Sequence, residues 1–437
     1  MMPRNTSTQR LMQWVAASGI LVTIAWYGFF LYRHVLNVPY QDDIFDVLQV
    51  LTRLLQSTDM QQAFGILFDN YNEHRTLASR LVYYLVYLVT GEINFRTLVF
   101  LCNLSLLAQL FILYLAMGKR HRSLWLVLPA ALILLQPRAY GLYSIAMGAF
   151  AYIFVYLYGF ASLLCLRDVT MSRFAAAIAF AILGTFTLAS GQLIWLVGLA
   201  SLLHQALMQR RCSLAYALCW LACAMVVLVI WRVGYETTNT LTNVVGAMLD
   251  SPLHHLTFLF TLMGAAVTNT SVLFAFATGC LLFAAVIYWS VRIRSSEDIS
   301  LELFAWYVVL TMVAVTIGRA LVVTPDYALE SRLSFPSELL LATVVLLCVS
   351  RISNPRRQLQ IAAIAVFVAG IYWITSFRIY PAYMQEEFED RVADFNAGNF
   401  WVIYFPVEET NNIVAEAIAL GIYRAPERPL PGPDIAP

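Results

Sequence analysis

Charge is what this sequence has least of. Only 12% of its 437 residues are Asp, Glu, Lys or Arg, while 60% are hydrophobic; soluble domains carry about a quarter charged residues and about half apolar ones. That balance excludes a soluble globular enzyme, a disordered chain and a nucleic-acid binder with a basic face. Lysine is nearly missing, with Lys119 alone beside 26 Arg. The seven Cys never form a C-x-x-C pair, which argues against a zinc cluster or a disulfide framework. The six His include no i, i+4 pair, so no histidine metal site is expected. Neither a Walker A sequence nor a G-x-G-x-x-G run occurs, so neither ATP nor a dinucleotide is indicated.

What is present is one apolar run after another. A bilayer core takes about 20 apolar residues per helix. Segments 11–32, 95–117, 124–136, 144–166, 174–189, 191–207, 213–233, 271–291, 303–322, 336–350 and 359–377 qualify or nearly do. The first lacks a small-x-small cleavage site and is read as a retained anchor. The expected fold is therefore an all-α polytopic membrane protein with about 11 transmembrane helices.

Basic residues give the direction, because Lys and Arg are hard to translocate in short loops. They cluster at Arg4 and Arg10, Lys119 to Arg122, Arg167 with Arg173, Arg210-Arg211, Arg292 with Arg294, and Arg351 with Arg356-Arg357. All fall on the cytoplasmic side if 77–90, which carries Arg80, lies along the outer interface instead of crossing. The N-terminus is then cytoplasmic and the C-terminus external. The membrane domain covers 1–377, and its external loops are 33–94, 234–270 and 323–335. The tail 378–437 follows outside; its acidic amphipathic stretch, Glu386 to Asp394, carries no expected chemistry, and its Pro-rich end is expected to be disordered. The cytoplasmic loops are too short for a catalytic domain, so any chemistry belongs to the outer face.

The first external loop opens Val38-Pro39-Tyr40-Gln41-Asp42-Asp43-Ile44-Phe45-Asp46. Pro39 keeps the chain extended, and apolar residues with helical period from 44 onward predict an amphipathic surface helix. Asp42 or Asp43 then serves as an N-cap, for about 1 kcal/mol, or as a carboxylate held at the bilayer surface, where a general base could serve a lipid-linked substrate. The two roles are compatible if one caps and the other reacts. Further on, Asn72-Glu73-His74-Arg75 sets an acceptor, an imidazole and a fixed cation side by side. Arg75 could take a phosphate oxygen bidentately or simply snorkel; His74 alone is more commonly structural.

One span, an external loop opening on adjacent carboxylates, a surface helix, and then Gly91-Glu92-Ile93-Asn94-Phe95-Arg96 leading into a span that ends at Lys119-Arg120: this order resembles the GT-C superfamily. Its members are integral-membrane glycosyltransferases using polyprenyl-phosphate sugar donors, among them lipid A aminoarabinose transferases and protein mannosyltransferases. The resemblance implies that a first-loop Asp, here Asp42 or Asp43, is catalytic or positions the acceptor. Where many such transferases carry Lys-Pro-Pro, this chain has Asn72 to Arg75, which leaves the acceptor open.

Later, Thr324 to Pro336 lies between two spans. Arg332, just outside the membrane and followed by Pro336, is suited to meet a lipid phosphate, and it is similar to the Arg-Tyr…Pro element of these transferases. Its alternative is a salt bridge to Glu330 or Asp326. Arg319 sits one turn inside the preceding span, where a charge is costly unless it faces a polar cavity; Arg138 is a weaker candidate of the same kind. The segment 254–270 is expected to be an interfacial or half-inserted helix, or a plain buried one.

The expected activity is inverting sugar transfer from a polyprenyl-phosphate donor to an envelope glycan, lipid or protein at the external face. Asp43 or Asp42 would be the base, Arg332 with Arg75 and Arg319 the phosphate ligands, and Glu73 with His74 the orienting groups. No cofactor and no metal are expected, a divalent ion on Asp42, Asp43 and Asp46 being the less favoured alternative. A transporter or flippase, a glycan polymerase or ligase, and a non-catalytic subunit are the rivals. The bilayer is the expected environment, with no nucleic-acid partner. Arg over Lys and the compact form suggest a bacterial inner membrane.

Overall fold

A computed structural model describes residues 6–71, 74–118, 122–208, 212–235, 246, 248–292, 299–400, 402, 405–427 and 429–430. It is helical throughout, with no strand among the described residues beyond two isolated bridges. Among the described residues, ten helices are long and apolar enough to cross a membrane. In chain order the main ones are α1 (Thr6–His34), α2 (Phe95–Ala116), α3 (Leu124–Leu134, resumed at Tyr140–Tyr143), α4 (Ala146–Cys165) and α5 (Met171–Thr185). There follow α6 (Leu193–Leu203), α7 (Leu214–Arg232), α8 (Pro252–Gly264), α9 (Val272–Val291), α10 (Ser300–Arg319), α11 (Ser331–Ser350) and α12 (Pro355–Ala397).

The helix α5 is the exception to the expected eleven long spans. Its 15 residues reach only about 22 Å at 1.5 Å each. It still runs between the two ends of the bundle. Arg173 pairs with Asp168 at one end, and the Phe186 carbonyl accepts from the Ala78 amide at the other.

Side-chain links sort the chain into two ends. Arg122 and Arg167 both donate to the Leu115 carbonyl, Gln13 bonds Ser123 and Leu124, and Arg351 pairs with Glu302. Phe160 stacks on Phe304 with centroids 4.1 Å apart, which brings these pairs to one basic end. The first loop, Ser144, Met147, Phe186, Trp231, Ala320 and Arg332 gather at the other. The residues around Lys119, Arg210 and Arg294 lie outside the described set.

Three features position the loop end. First, α3 breaks at Gln136-Pro137. Gln136 accepts from the Arg138 amide, Trp373 bonds the Leu135 carbonyl at 2.9 Å, and Arg138 reaches the carbonyls of Ala265, Thr268 and Leu329. Broken helix inside a membrane is tolerated only with such partners. Second, α8 packs backbone to backbone against α9. Gly264 lies on the Ala275 carbonyl and Gly279 on the Phe260 carbonyl, where any Cβ would clash, so the backbones of α8 and α9 touch. Third, α12 does not stop at 377. It continues as one helix to Ala397, so the first 20 residues of the expected tail are an extension of the last span.

The rest of the tail folds back on the first loop. Helix α13 (Val407–Ala419) packs on Ile44–Gln49, Gln56 bonds Glu416, and Tyr423 bonds the Asn37 carbonyl. Leu430 exchanges hydrogen bonds with Asn396, so the Pro-rich segment is docked that far; 428 and 431–437 lie outside the described residues.

Candidate functional site

Three aspartates within five residues take three different roles. Asp43 is buried, and its Oδ1 accepts from the Met147 amide at 2.7 Å, in the first turn of α4. Its Oδ2 accepts from the Tyr40 amide at 3.3 Å. It therefore caps, but it caps a helix 104 residues away and not its own. Burial pushes its carboxyl up to about 7, against the pull of these amides and of Arg391. Asp46, fully buried, accepts from Arg80 Nε and Thr76 Oγ1 at 2.8 Å each. Desolvation raises it as well. Asp42 alone stays half-exposed, accepting from the Tyr71 hydroxyl at 2.6 Å. Ahead of it stands Gln41 at φ +53°, the single positive-φ non-glycine among the described residues. Such strain is held only where surroundings enforce it, and it clusters at functional sites.

The second sequence element, around Arg75, is a clamp. Arg75 is buried against Phe68, 4.1 Å from the ring centroid. It donates to the Trp231 carbonyl at 2.8 Å and to the carbonyls of Phe68 and Val233. Arg80 likewise serves the carbonyls of Ile66, Leu67 and Asp69 besides Asp46. Arg75, expected at a phosphate, has its guanidinium on backbone carbonyls inside the protein, and so has Arg80. His74 closes a two-way backbone bridge with Tyr71, which presents Tyr71 to Asp42. Glu73 lies outside the described residues.

The late arginines are placed differently. Arg332 is exposed at the start of α11, bonded to the Tyr327 hydroxyl and 5.6 Å from that ring's centroid. Among the described residues it forms no ion pair with Glu330 or Asp326. Arg319 is exposed at the end of α10 and lies within electrostatic range of Tyr152 of α4. Tyr152 also lies within electrostatic range of Asp42 and Arg332. One half-exposed carboxylate and two exposed guanidiniums, from the first loop and two separate spans, thus lie within electrostatic range of Tyr152.

Asp42, Asp43 and Asp46 face three different donor sets and do not converge as ligands, and no group of three His, Cys, Asp or Glu among the described residues is placed to hold a metal ion. Sequence reasoning missed Tyr71, Tyr152 and Tyr327, and it missed Arg391, whose side chain reaches Ser144 and covers Tyr40 at 3.8 Å. It also missed Glu338, fully buried in α11 between Tyr143 and Ser334. A carboxylate two residues after Pro336 in an apolar run was the available signal.

No family model, no curated protein and no solved structure matches this chain.

Proposed function

We propose that this protein transfers a sugar from a polyprenyl-phosphate donor to a hydroxyl acceptor at the end of the bundle that carries Asp42. The observation that carries the reading is that half-exposed Asp42 and the exposed Arg319 and Arg332 lie within electrostatic range of one phenol, Tyr152. A long-chain lipid phosphate cannot leave the bilayer, so its site must lie where spans end, with cations open to a phosphate and a carboxylate open to a hydroxyl. Arg319 and Arg332 are open in this way; Arg75, Arg80 and Arg138 are committed to carbonyls.

In the reaction the acceptor oxygen attacks the anomeric carbon as the bond from that carbon to the phosphate oxygen breaks. Asp42 takes the acceptor's proton. The polyprenyl phosphate leaves with the bonding electrons, and Arg319 and Arg332 offset its growing charge. Tyr71 holds Asp42, and Tyr152 spaces it from the guanidiniums. Inversion at the anomeric carbon follows from a single displacement. By the bias of Arg toward the opposite end, this end faces outward, in our reading from a bacterial inner membrane. The acceptor is a glycan, lipid or protein of the envelope.

Mass spectrometry of surface glycans tests this in cells with the intact protein, without it, or with Arg332→Ala. One sugar should vanish without the protein and fall sharply with the variant at equal membrane level. Unchanged glycans in cells lacking the protein would refute transfer and favour a transport or structural role.

A further inference from the structure

Tyr71 has two faces. Its hydroxyl holds Asp42, and its side also forms part of a cleft of about 310 Å³ lined by Phe45, Gln49, Arg53, Asp69, Asn70 and Arg80, among others. A second hollow of about 340 Å³, sharing Arg53 and Asp69 and adding Gln56 and Gln62, adjoins it. Each is at the small end of the roughly 300–1,000 Å³ range of ligand pockets.

The chemistry of the wall selects the ligand. Both cations are already matched: Arg53 to Asp69 at 2.9 Å and Arg80 to Asp46 at 2.8 Å. An anionic headgroup therefore finds no uncompensated positive charge. The remaining groups are amides and two aromatic rings, which suit a ligand with both donors and acceptors on an apolar frame. Asn70 adds a more pointed signal, since its Oδ1 is buried with no hydrogen-bond partner among the described residues. A buried acceptor left so carries a desolvation penalty that a ligand hydroxyl would relieve.

We infer that this cleft binds a neutral saccharide, and that the acceptor of the proposed transfer is such a glycan, laid along Gln49 and Asn70 so that one hydroxyl passes Tyr71 to Asp42. The assignment of the acceptor rests on the transfer reading; the saccharide site does not.

Full-length protein in phosphatidylcholine nanodiscs is probed by saturation-transfer NMR with the methyl glycosides of glucose, galactose and mannose, with methyl glucuronide, and with inorganic phosphate. At least one neutral glycoside should bind. Asn70→Ala should weaken it about tenfold, the loss of one hydrogen bond to a buried group. Binding of no neutral glycoside, preference for glucuronide or phosphate, or an unaltered affinity in Asn70→Ala would overturn the assignment. If glycoside binding holds while cells lacking the protein keep every surface sugar, the site stands and the transfer reading falls. If a surface sugar is lost but no glycoside binds, the reverse is true.

Discussion

Two sets of arginines occupy the same end of this molecule and do opposite work. Arg75 and Arg80 are almost fully buried, at 3% and 2% exposure, and hold backbone carbonyls of the first loop and of the end of α7. Arg319 and Arg332 lie open, and Arg332 bonds the Tyr327 phenol. The aspartates divide in the same way: Asp43 and Asp46 are buried and fixed by donors, and Asp42 is half-exposed. Residue type is shared across the two sets, so partner and access decide the role. A guanidinium surrounded by carbonyls organises a backbone; one beside a phenol at the mouth of a bundle can take a new anion.

The largest effect that would break this contrast is in the buried set. Arg80→Ala leaves Asp46 without its cation, and breaking such a pair costs about 3–5 kcal/mol. Thermal melts in nanodiscs should show collapse of the fold, whereas Arg332→Ala should melt within about 0.5 kcal/mol of the parent, as surface changes do. The second effect reverses the sign of the comparison. Arg332→Ala should lower transfer by about 10²–10³, the usual loss on removing one electrostatic stabiliser, as read from the rate of sugar incorporation at matched protein level.

A pH scan sharpens the contrast between the aspartates. Burial holds Asp43 at about 7, above the ordinary value of about 3.9, so folding favours its neutral form. Its contribution to stability is complete below about pH 4 and is lost as pH rises toward 7. Asp46, raised by burial, acts with the same sign. The melting temperature should therefore decline between pH 5 and pH 7, and Asp43→Asn should flatten part of that decline; an identical slope in the variant would contradict the buried, neutral-favouring environment. The smallest effect belongs to the pair Arg53–Asp69, whose side chains are each 48% exposed. Arg53→Gln should cost under about 1 kcal/mol in the same melts.

How much of this was legible beforehand follows from range. The spans are a local property, and hydropathy located them, including the short α5, which answers to the run 174–189. The helix after Thr76 and the extended chain at Pro39 were local as well. The fate of each charge was not. Arg75 meets carbonyls 156 and 158 residues away, and Asp43 caps a helix whose first turn begins a hundred positions later. Nothing in the string Asn-Glu-His-Arg distinguishes a phosphate ligand from a backbone clamp. That Arg332 stands exposed at the head of a span was readable because its setting, a short loop followed by an early-helix proline, is itself local. Arg391 was not, because the helix carrying it runs on past the apolar stretch through Pro381 and the acidic residues that looked like a separate tail.

The central claim is the division of labour between adjacent carboxylates, and the most direct measurement sets Asp42→Asn against Asp43→Asn. Both variants would be expressed to equal membrane levels and their surface glycans compared by mass spectrometry. The account predicts that Asp42→Asn abolishes the transferred sugar. Asp43→Asn, whose amide oxygen can still accept from Met147, should retain most of it. Full transfer in Asp42→Asn, or loss only in Asp43→Asn, would contradict it.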